Sequence, residues 1–187
     1  MATATLTLSD TLFRTRSVGR DFALMIGGAA VVAACAQVTI PWYPVPFTLQ
    51  TMAVFLCGLA LGSKRGVGAI VIYLAAALCH LPVLAGGLAF SFGPTVGYLI
   101  GFLPAAYLLG VLAERGWDRH LLSIAGAMLI AGTIVLASGA IWLSAFVGPV
   151  NAFRMGVAPF LIGELVKIGV VTLVLPGAWK LVGKNQA

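Results

Sequence analysis

The segment Gly163-Glu164-Leu165-Val166-Lys167 places two charged residues within a long apolar stretch, and no other charge occurs between Arg154 and Lys180. A spacing of three residues puts Glu164 and Lys167 on the same face of a helix, close enough to pair or to hold a shared ligand. Charged residues inside a membrane helix are costly and usually face the protein interior. The segment therefore indicates either an ion pair that joins two helices or a polar ligand site.

The composition of the whole chain extends this interpretation. Of its 187 residues, 61% are apolar and 9% are charged, too few to cover a soluble core with polar surface. The chain is therefore predicted to be an integral membrane protein, and residues 1–187 are predicted to form one domain. The net charge of +6 comes from basic residues at the ends of apolar runs, so we exclude a nucleic-acid-binding role.

Six apolar runs predict an all-α protein with six transmembrane helices. The predicted spans are 22–40, 49–62, 66–81, 94–113, 121–147 and about 155–181. The first run has an alternative interpretation as a secretory signal, because three arginines precede it. We prefer a retained helix, since its apolar character continues past Cys35.

The distribution of basic residues predicts the orientation in the membrane. One set of connections holds nine of them, whereas the other set holds only Arg154; the nine are Arg14, Arg16, Arg20, Lys64, Arg65, Arg115, Arg119, Lys180 and Lys184. The positive-inside rule then predicts that both termini are cytoplasmic. The segments 41–48, 82–93 and 148–154, predicted as irregular loops, would lie together on the outer face and cover a ligand pocket.

The first loop, 41–50, is rich in proline and aromatic residues. Its prolines hold the backbone extended and prevent a helix. A plain connection would not need such stiffness, although Trp and Tyr also mark membrane interfaces. The polar residues Thr48 and Gln50 open the second span.

Small residues recur along the first span and predict a close helix contact. Four alanines, Ala29, Ala30, Ala33 and Ala34, form pairs with a spacing of four residues. Such a face lets another helix approach closely. We expect it to dock a partner protein, but the same spacing also suits packing within the bundle.

The remaining reactive residue types predict neither catalysis nor a metal site. The three cysteines lie in apolar runs without paired spacing, and His80 and His120 lack a second ligand at helical spacing. We therefore expect no catalytic residue, no metal and no cofactor. An intramembrane enzyme would need a nucleophile with a base, or a set of metal ligands.

Several motifs resemble the BioY family, the biotin-binding S components of energy-coupling factor (ECF) transporters. They are Pro44-Val45-Pro46-Phe47-Thr48-Leu49-Gln50, Leu81-Pro82-Val83, Gly93-Pro94-Thr95 with Gly97-Tyr98, and Gly163-Glu164-Leu165-Val166-Lys167. The resemblance covers roughly residues 21–182. It implies a six-helix fold in the bacterial plasma (inner) membrane, biotin capture from outside, and association with a transmembrane coupling protein (T component) and two ATPase subunits. The chain itself has no Gly-x-x-x-x-Gly-Lys motif and is not expected to hydrolyse ATP.

The chain departs from the family pattern at two positions and in one loop. Glu164 stands where the family more often has aspartate, which moves the carboxylate outward by one methylene, and Val96 stands where glycine is frequent. The loop 82–93 has no basic residue, so a contact to a ligand carboxylate from that loop is not expected here.

The resemblance suggests how biotin would be held. Biotin has a urea with two N–H donors and one carbonyl acceptor, an apolar thioether ring and a chain ending in a carboxylate. We expect Glu164 to accept from a ureido N–H and Lys167 to donate to the carbonyl or to stabilise Glu164. Gln50, Thr48 or Tyr98 would complete these hydrogen bonds, and Trp42, Tyr43 and Phe47 would cover the thioether ring. The carboxylate would lie nearer the outside, where Arg154 is the only basic residue, and Asn151 is a further candidate contact. A solitary biotin carrier without an ATPase remains the alternative.

Overall fold

The computed structural model describes residues 7–12 and 17–184, with side chains as far as Trp179. These residues form an all-α protein with one short pair of strands. The helices are α1 (Leu8–Leu12), α2 (Val18–Gln37), α3 (Gln50–Leu61), α4 (Ser63–Leu78), α5 (Val96–Ala113), α6 (Leu121–Val147), α7 (Pro149–Gly156) and α8 (Ala158–Lys184). The strands β1 (Thr39–Ile40) and β2 (Phe47–Thr48) pair antiparallel, and 3₁₀ turns occur at Ala85–Gly87 and Trp117–Arg119.

Local sequence explains where several helices begin and end. The side chain of Ser17 accepts a hydrogen bond of 3.1 Å from the backbone N–H of Arg20 and caps α2. Gly148 has a φ of +79°, which ends α6, and Pro149 then occupies the first position of α7.

Four helical segments within the described residues are long and apolar enough to cross a membrane: Val18–Gln37, Val96–Ala113, Leu121–Val147 and Pro149–Trp179. Helix α3 has 12 residues and α4 has 16, so they are about 18 and 24 Å long at about 1.5 Å per residue. Both are shorter than the roughly 30 Å of a bilayer core. They correspond to the predicted runs 49–62 and 66–81.

Helix α5 lies at the centre of the bundle. It packs against α3, α4 and α6, and most of its side chains are buried. At the contact with α3, a Cβ added to Gly58 would lie only 2.7 Å from the carbonyl oxygen of Ala106. The absence of a side chain at Gly58 therefore lets these two helices approach closely. Helix α8 packs mainly on α6 and exposes Ile162 and Val166 on its other face.

Two details correct the sequence prediction. The segment 148–154, expected to be an irregular loop, lies mostly in α7, because its alternation of buried Ala152 and Gly156 with exposed residues suits a short surface helix. Helix α5 begins at Val96, two residues after the predicted Pro94, and the residues before it remain in a turn.

Charged residues hold α1 against the end of the bundle where α2 begins. Asp10 lies 2.7 Å from Arg65 and 3.2 Å from Arg20, and Asp21 lies 2.7 Å from Arg20. Burial raises the pKa of Asp10, but hydrogen bonds from Arg65 and Thr7 and both guanidinium charges outweigh it and leave the pKa at about 2. Of the basic residues that predicted the orientation, Arg14 and Arg16 lie outside the described residues, as do the side chains of Lys180 and Lys184.

Candidate ligand-binding cavity

A cavity of about 260 Å³ opens at the end of the bundle where α3, α5 and α8 begin. Residues 44–48 and 84–95 cover it, and α5, α6 and α8 supply its apolar walls through Leu99, Phe102, Val135, Leu136 and Phe160. Its volume lies near the lower end of the range for small-molecule sites, about 300 Å³. A mostly apolar wall with a few polar groups is typical of such sites.

The main polar cluster of the cavity consists of Thr51, Glu164 and Lys167. The ammonium of Lys167 donates to Oε1 of Glu164 at 2.7 Å and to the hydroxyl of Thr51 at 2.6 Å, and that hydroxyl donates to the same Oε1 at 2.8 Å. Oε2 of Glu164 is buried and has no hydrogen-bond partner among the described residues. Glu164 lies six residues into α8, about 9 Å along its axis, so the cluster sits inside the bundle.

A second polar chain starts at the first residue of α3. The side-chain amide of Gln50 donates to the hydroxyl of Tyr73 at 2.7 Å, and Tyr73 donates to the backbone carbonyl of Val83 at 3.2 Å. Gln50 lines the cavity, whereas Tyr73 lies behind it in α4 and is 1% exposed. This chain joins α3 and α4 to the loop that covers the cavity.

Aromatic side chains close the side of the cavity near α8. The ring of Phe47 stacks on Phe160 with centroids 4.3 Å apart, and Trp42 meets Phe47 edge-on at 5.8 Å. The hydroxyl of Tyr98 donates to the carbonyl of Gly156 at 2.7 Å, so its proton is engaged and Tyr98 offers mainly its ring and a hydroxyl acceptor.

The structure brings several of the predicted binding residues together. Thr48, Gln50, Tyr98, Glu164 and Lys167 all line the cavity. Phe47 lies behind Phe160 rather than in the lining.

The other aromatic residues of the first loop lie further out. Trp42 and Tyr43 are 52% and 78% exposed and stand outside the cavity. Their position fits the alternative interpretation as interfacial aromatic residues.

Two predicted contacts, Asn151 and Arg154, do not line the cavity. Both lie in α7 and are exposed, because this short helix turns Ala152 and Gly156 toward the protein instead. The expectation that Arg154 stands near a ligand carboxylate is therefore not supported. Lys167 is the only cationic side chain among the described residues that line the cavity.

Three residues at or behind the cavity were not predicted from the sequence: Thr51, Phe160 and Tyr73. Phe160 stands four residues before Glu164, so helical spacing gave a signal for it. Thr51 directly follows the predicted contact Gln50, but a threonine in a helix often bonds its own backbone. Nothing in the sequence around Tyr73 indicated that its hydroxyl would meet Gln50.

The alanines of the first span do not share one environment. Ala29 is buried and Ala33 is half-buried against the core, whereas Ala30 and Ala34 are exposed. Next to them, a Cβ on Gly28 would lie 2.9 Å from Ala69 of α4. One part of the predicted surface therefore packs internally, and the other part remains available.

No group of three potential metal ligands among His, Cys, Asp and Glu occurs within residues 7–12 and 17–184. The three cysteines are free thiols: Cys57 is buried, Cys35 is half-buried and Cys79 is exposed.

The apolar helices and the cavity define a multi-pass membrane protein with a small-molecule pocket at one end of its helix bundle. Comparison with known families identifies it further, because residues 6–184 match the model of the BioY family. This chain belongs to the BioY family.

The most informative relatives are similar over most of their length. The chain is 35% identical to the "Probable biotin transporter BioY" of Pyrococcus horikoshii over 83% of this chain and 93% of that protein. It is 37% identical to the "Biotin transporter BioY" of Thermotoga maritima over 78% and 87%. These relatives are named transporters, in agreement with the prediction that the chain is not an enzyme.

A solved structure has the same fold. The S-component for biotin from an ECF-type ABC transporter superposes with a TM-score of 0.74 over 89% of this chain and 95% of that one. At 24% sequence identity this similarity shows the fold alone.

Proposed function

We propose that this chain is the biotin-binding S component of an ECF-type vitamin uptake transporter. Its membership in the BioY family supports the proposal, as do the relatives named biotin transporters and the fold shared with an S-component for biotin. Biotin is the transported ligand. The chain carries no cofactor and works with a transmembrane coupling protein and two ATPase subunits.

The observation that carries the proposal is the Thr51, Glu164 and Lys167 cluster in an apolar cavity. Oε1 of Glu164 already accepts two hydrogen bonds, whereas Oε2 accepts none from the described residues. Lys167 uses two of its three N–H groups within the cluster. A buried carboxylate oxygen without a donor is costly, so a ligand N–H that binds there gains stability.

A cyclic urea satisfies these free groups. One ureido N–H donates to Oε2 of Glu164, and the ureido carbonyl accepts from Lys167. The apolar thioether ring of biotin packs on Phe160 and Phe102, which line the cavity. The carboxylate chain extends toward the covering loops, where no basic side chain of the lining meets it.

The architecture proposed with this function is a single domain over residues 1–187 in the plasma membrane. Helices α2 to α6 and α8 are its six transmembrane helices, with α3 and α4 the short ones. Both termini are cytoplasmic, which follows from the asymmetry of basic residues. The cavity then opens to the outside.

Biotin titration of the purified protein tests the function. We expect biotin to bind, and biotin methyl ester to keep most of the affinity, because only the carboxylate charge is lost. An analogue methylated at a ureido nitrogen should bind at least about tenfold more weakly, since it loses a hydrogen bond to a charged group. Absence of biotin binding would contradict the proposal. Tight binding of the methylated analogue with loss of the ester would mean that Lys167 holds the carboxylate and that the ligand is reversed.

Cysteine labelling tests the orientation. In a background without the three native cysteines, a cysteine at Asn151 should react with an impermeant maleimide added outside intact cells. A cysteine at Lys64 should react only after the cells are opened. Both residues are exposed, so both sites are accessible to the reagent. The reverse pattern would place the cavity on the cytoplasmic side.

A further inference from the structure

Tyr73 carries a buried hydroxyl for which the proposed function has no role. Tyr73 belongs to the second half of α4, and its side chain is 1% exposed and packs in the apolar core. The hydroxyl contacts two polar groups, the side-chain amide of Gln50 at 2.7 Å and the backbone carbonyl of Val83 at 3.2 Å. A buried hydroxyl between two partners fixes how each of them is oriented.

The chemistry of these groups allows one arrangement that satisfies all of them. A backbone carbonyl only accepts hydrogen bonds, so the proton of Tyr73 points to Val83. The oxygen of Tyr73 can then only accept, and only the NH₂ end of Gln50 can donate to it. If the Gln50 amide were rotated so that its oxygen faced Tyr73, the Tyr73 hydroxyl would donate to that oxygen. The carbonyl of Val83 would then lose its donor. An unsatisfied buried group costs more than a bond between satisfied partners gains.

We propose that Tyr73 is a positioning residue that holds the amide of Gln50 with Oε1 available to the ligand in the cavity. Gln50 lines the cavity, and no described residue donates to its Oε1. The inference rests on the proposed function and deepens it. The Gln50 side chain and the Glu164–Lys167 pair together then offer the ligand two acceptors, Oε1 of Gln50 and Oε2 of Glu164, and one donor, Lys167.

Two acceptors and one donor match the two N–H groups and the single carbonyl of a cyclic urea. A cyclic ligand with only one N–H, such as a lactam, would leave one acceptor without a partner. Sites that hydrogen-bond a ligand reject analogues that lack the matching group, because their own polar groups are then left unpaired. Tyr73 therefore contributes to selectivity for a urea although it does not touch the ligand.

A double-mutant cycle tests this role. Tyr73→Phe removes only the hydroxyl and should weaken biotin binding roughly tenfold, because the Gln50 amide is free to turn its NH₂ toward the ligand. Gln50→Leu should weaken binding by at least as much. The double variant should bind no more weakly than Gln50→Leu alone, since Tyr73 acts through Gln50. Tyr107→Phe is the matched control, because Tyr107 is 57% exposed and outside the cavity lining, and it should bind as the wild type does.

A ligand series separates positioning from a structural effect. In the wild type, methylation of either ureido nitrogen should weaken binding. In Tyr73→Phe and in Gln50→Leu, methylation of the nitrogen that faces Gln50 should cost less affinity than it does in the wild type. Methylation of the nitrogen that faces Glu164 should cost as much affinity as it does in the wild type. A general loss of structure would lower the affinity for every ligand alike.

Several outcomes would overturn the inference. They are wild-type affinity in Tyr73→Phe, additive losses in the cycle, and a wild type that accepts one methylated isomer without penalty. If Tyr73→Phe is too unstable to purify, binding of radiolabelled biotin and its competition by the two methylated isomers are measured on membranes that contain the variant. Failure of the proposed function is distinguishable, because the wild type would then not bind biotin at all.

Discussion

The double variant Glu164→Gln with Lys167→Met is expected to bind biotin at least about 30-fold more weakly than the wild type, a loss of about 2 kcal/mol. The change removes a charged acceptor and a charged donor from the ligand but leaves no stranded charge in the bundle. The protein should therefore remain folded and monodisperse in detergent. Isothermal titration with biotin measures the affinity, and size-exclusion chromatography checks the fold.

The single variants supply the comparison. Removing one partner of a buried ion pair leaves the other uncompensated and costs about 3 to 5 kcal/mol. Glu164→Gln and Lys167→Met should therefore each lower both stability and biotin affinity. Thr133→Val controls for loss of a polar group, because Thr133 is exposed and its hydroxyl bonds only the backbone of Leu129 in its own helix.

The result that would contradict a ligand contact is recovery of affinity in the double variant relative to either single variant. That outcome would mean that the pair only joins α8 to α3 through Thr51. The structure is compatible with both roles of the pair. Thr51 links the pair to α3, as a structural ion pair would require, whereas Oε2 of Glu164 has no partner among the described residues and is available to a ligand.

Tryptophan at Ala30 or Ala34 is expected to abolish ATP-dependent biotin uptake in cells that contain the coupling protein and the ATPases. These alanines are exposed on α2 and do not line the cavity, so a large side chain blocks close helix approach there. Biotin binding by the detergent-solubilised variants should stay within about twofold of the wild type, since a change outside the cavity leaves ligand contacts intact. Radiolabelled biotin uptake and titration provide the two measurements.

Ala137→Trp is the matched control for these variants. Ala137 is an exposed alanine in the middle of α6, on another face of the protein, and its replacement should leave uptake unchanged. Equal loss of uptake and binding in the Ala30 and Ala34 variants would mean that the face packs internally. Uptake by the wild type in a host without the coupling protein and ATPases would instead favour a solitary carrier.

Two of the departures from the family pattern lie at the cavity. Glu164 is one methylene longer than aspartate, and its Oε1 accepts from both Thr51 and Lys167. The loop 82–93 has no basic residue, and Arg154 faces away from the cavity. We therefore propose that recognition of the ligand depends on its ureido end, and for that reason we expect the methyl ester to bind well.

The sequence by itself determined the membrane class, the approximate helix positions and the polar residues of α8. These properties are local: a run of apolar residues specifies a membrane helix wherever it lies, and a charge within that run is costly without a partner. The motifs around Gln50 and Glu164 also sufficed to predict the family, which the comparison confirmed.

Only the tertiary structure decided which of these residues meet. Thr51 lies 113 positions before Glu164, and Gln50 lies 23 positions before Tyr73, so no helical periodicity connects either pair. In the structure, Arg154 is exposed on the surface. Of the four alanines of α2, two contact the core and two are exposed. Such choices depend on which helix faces pack together, and that packing is set by contacts between distant parts of the chain rather than by neighbouring residues.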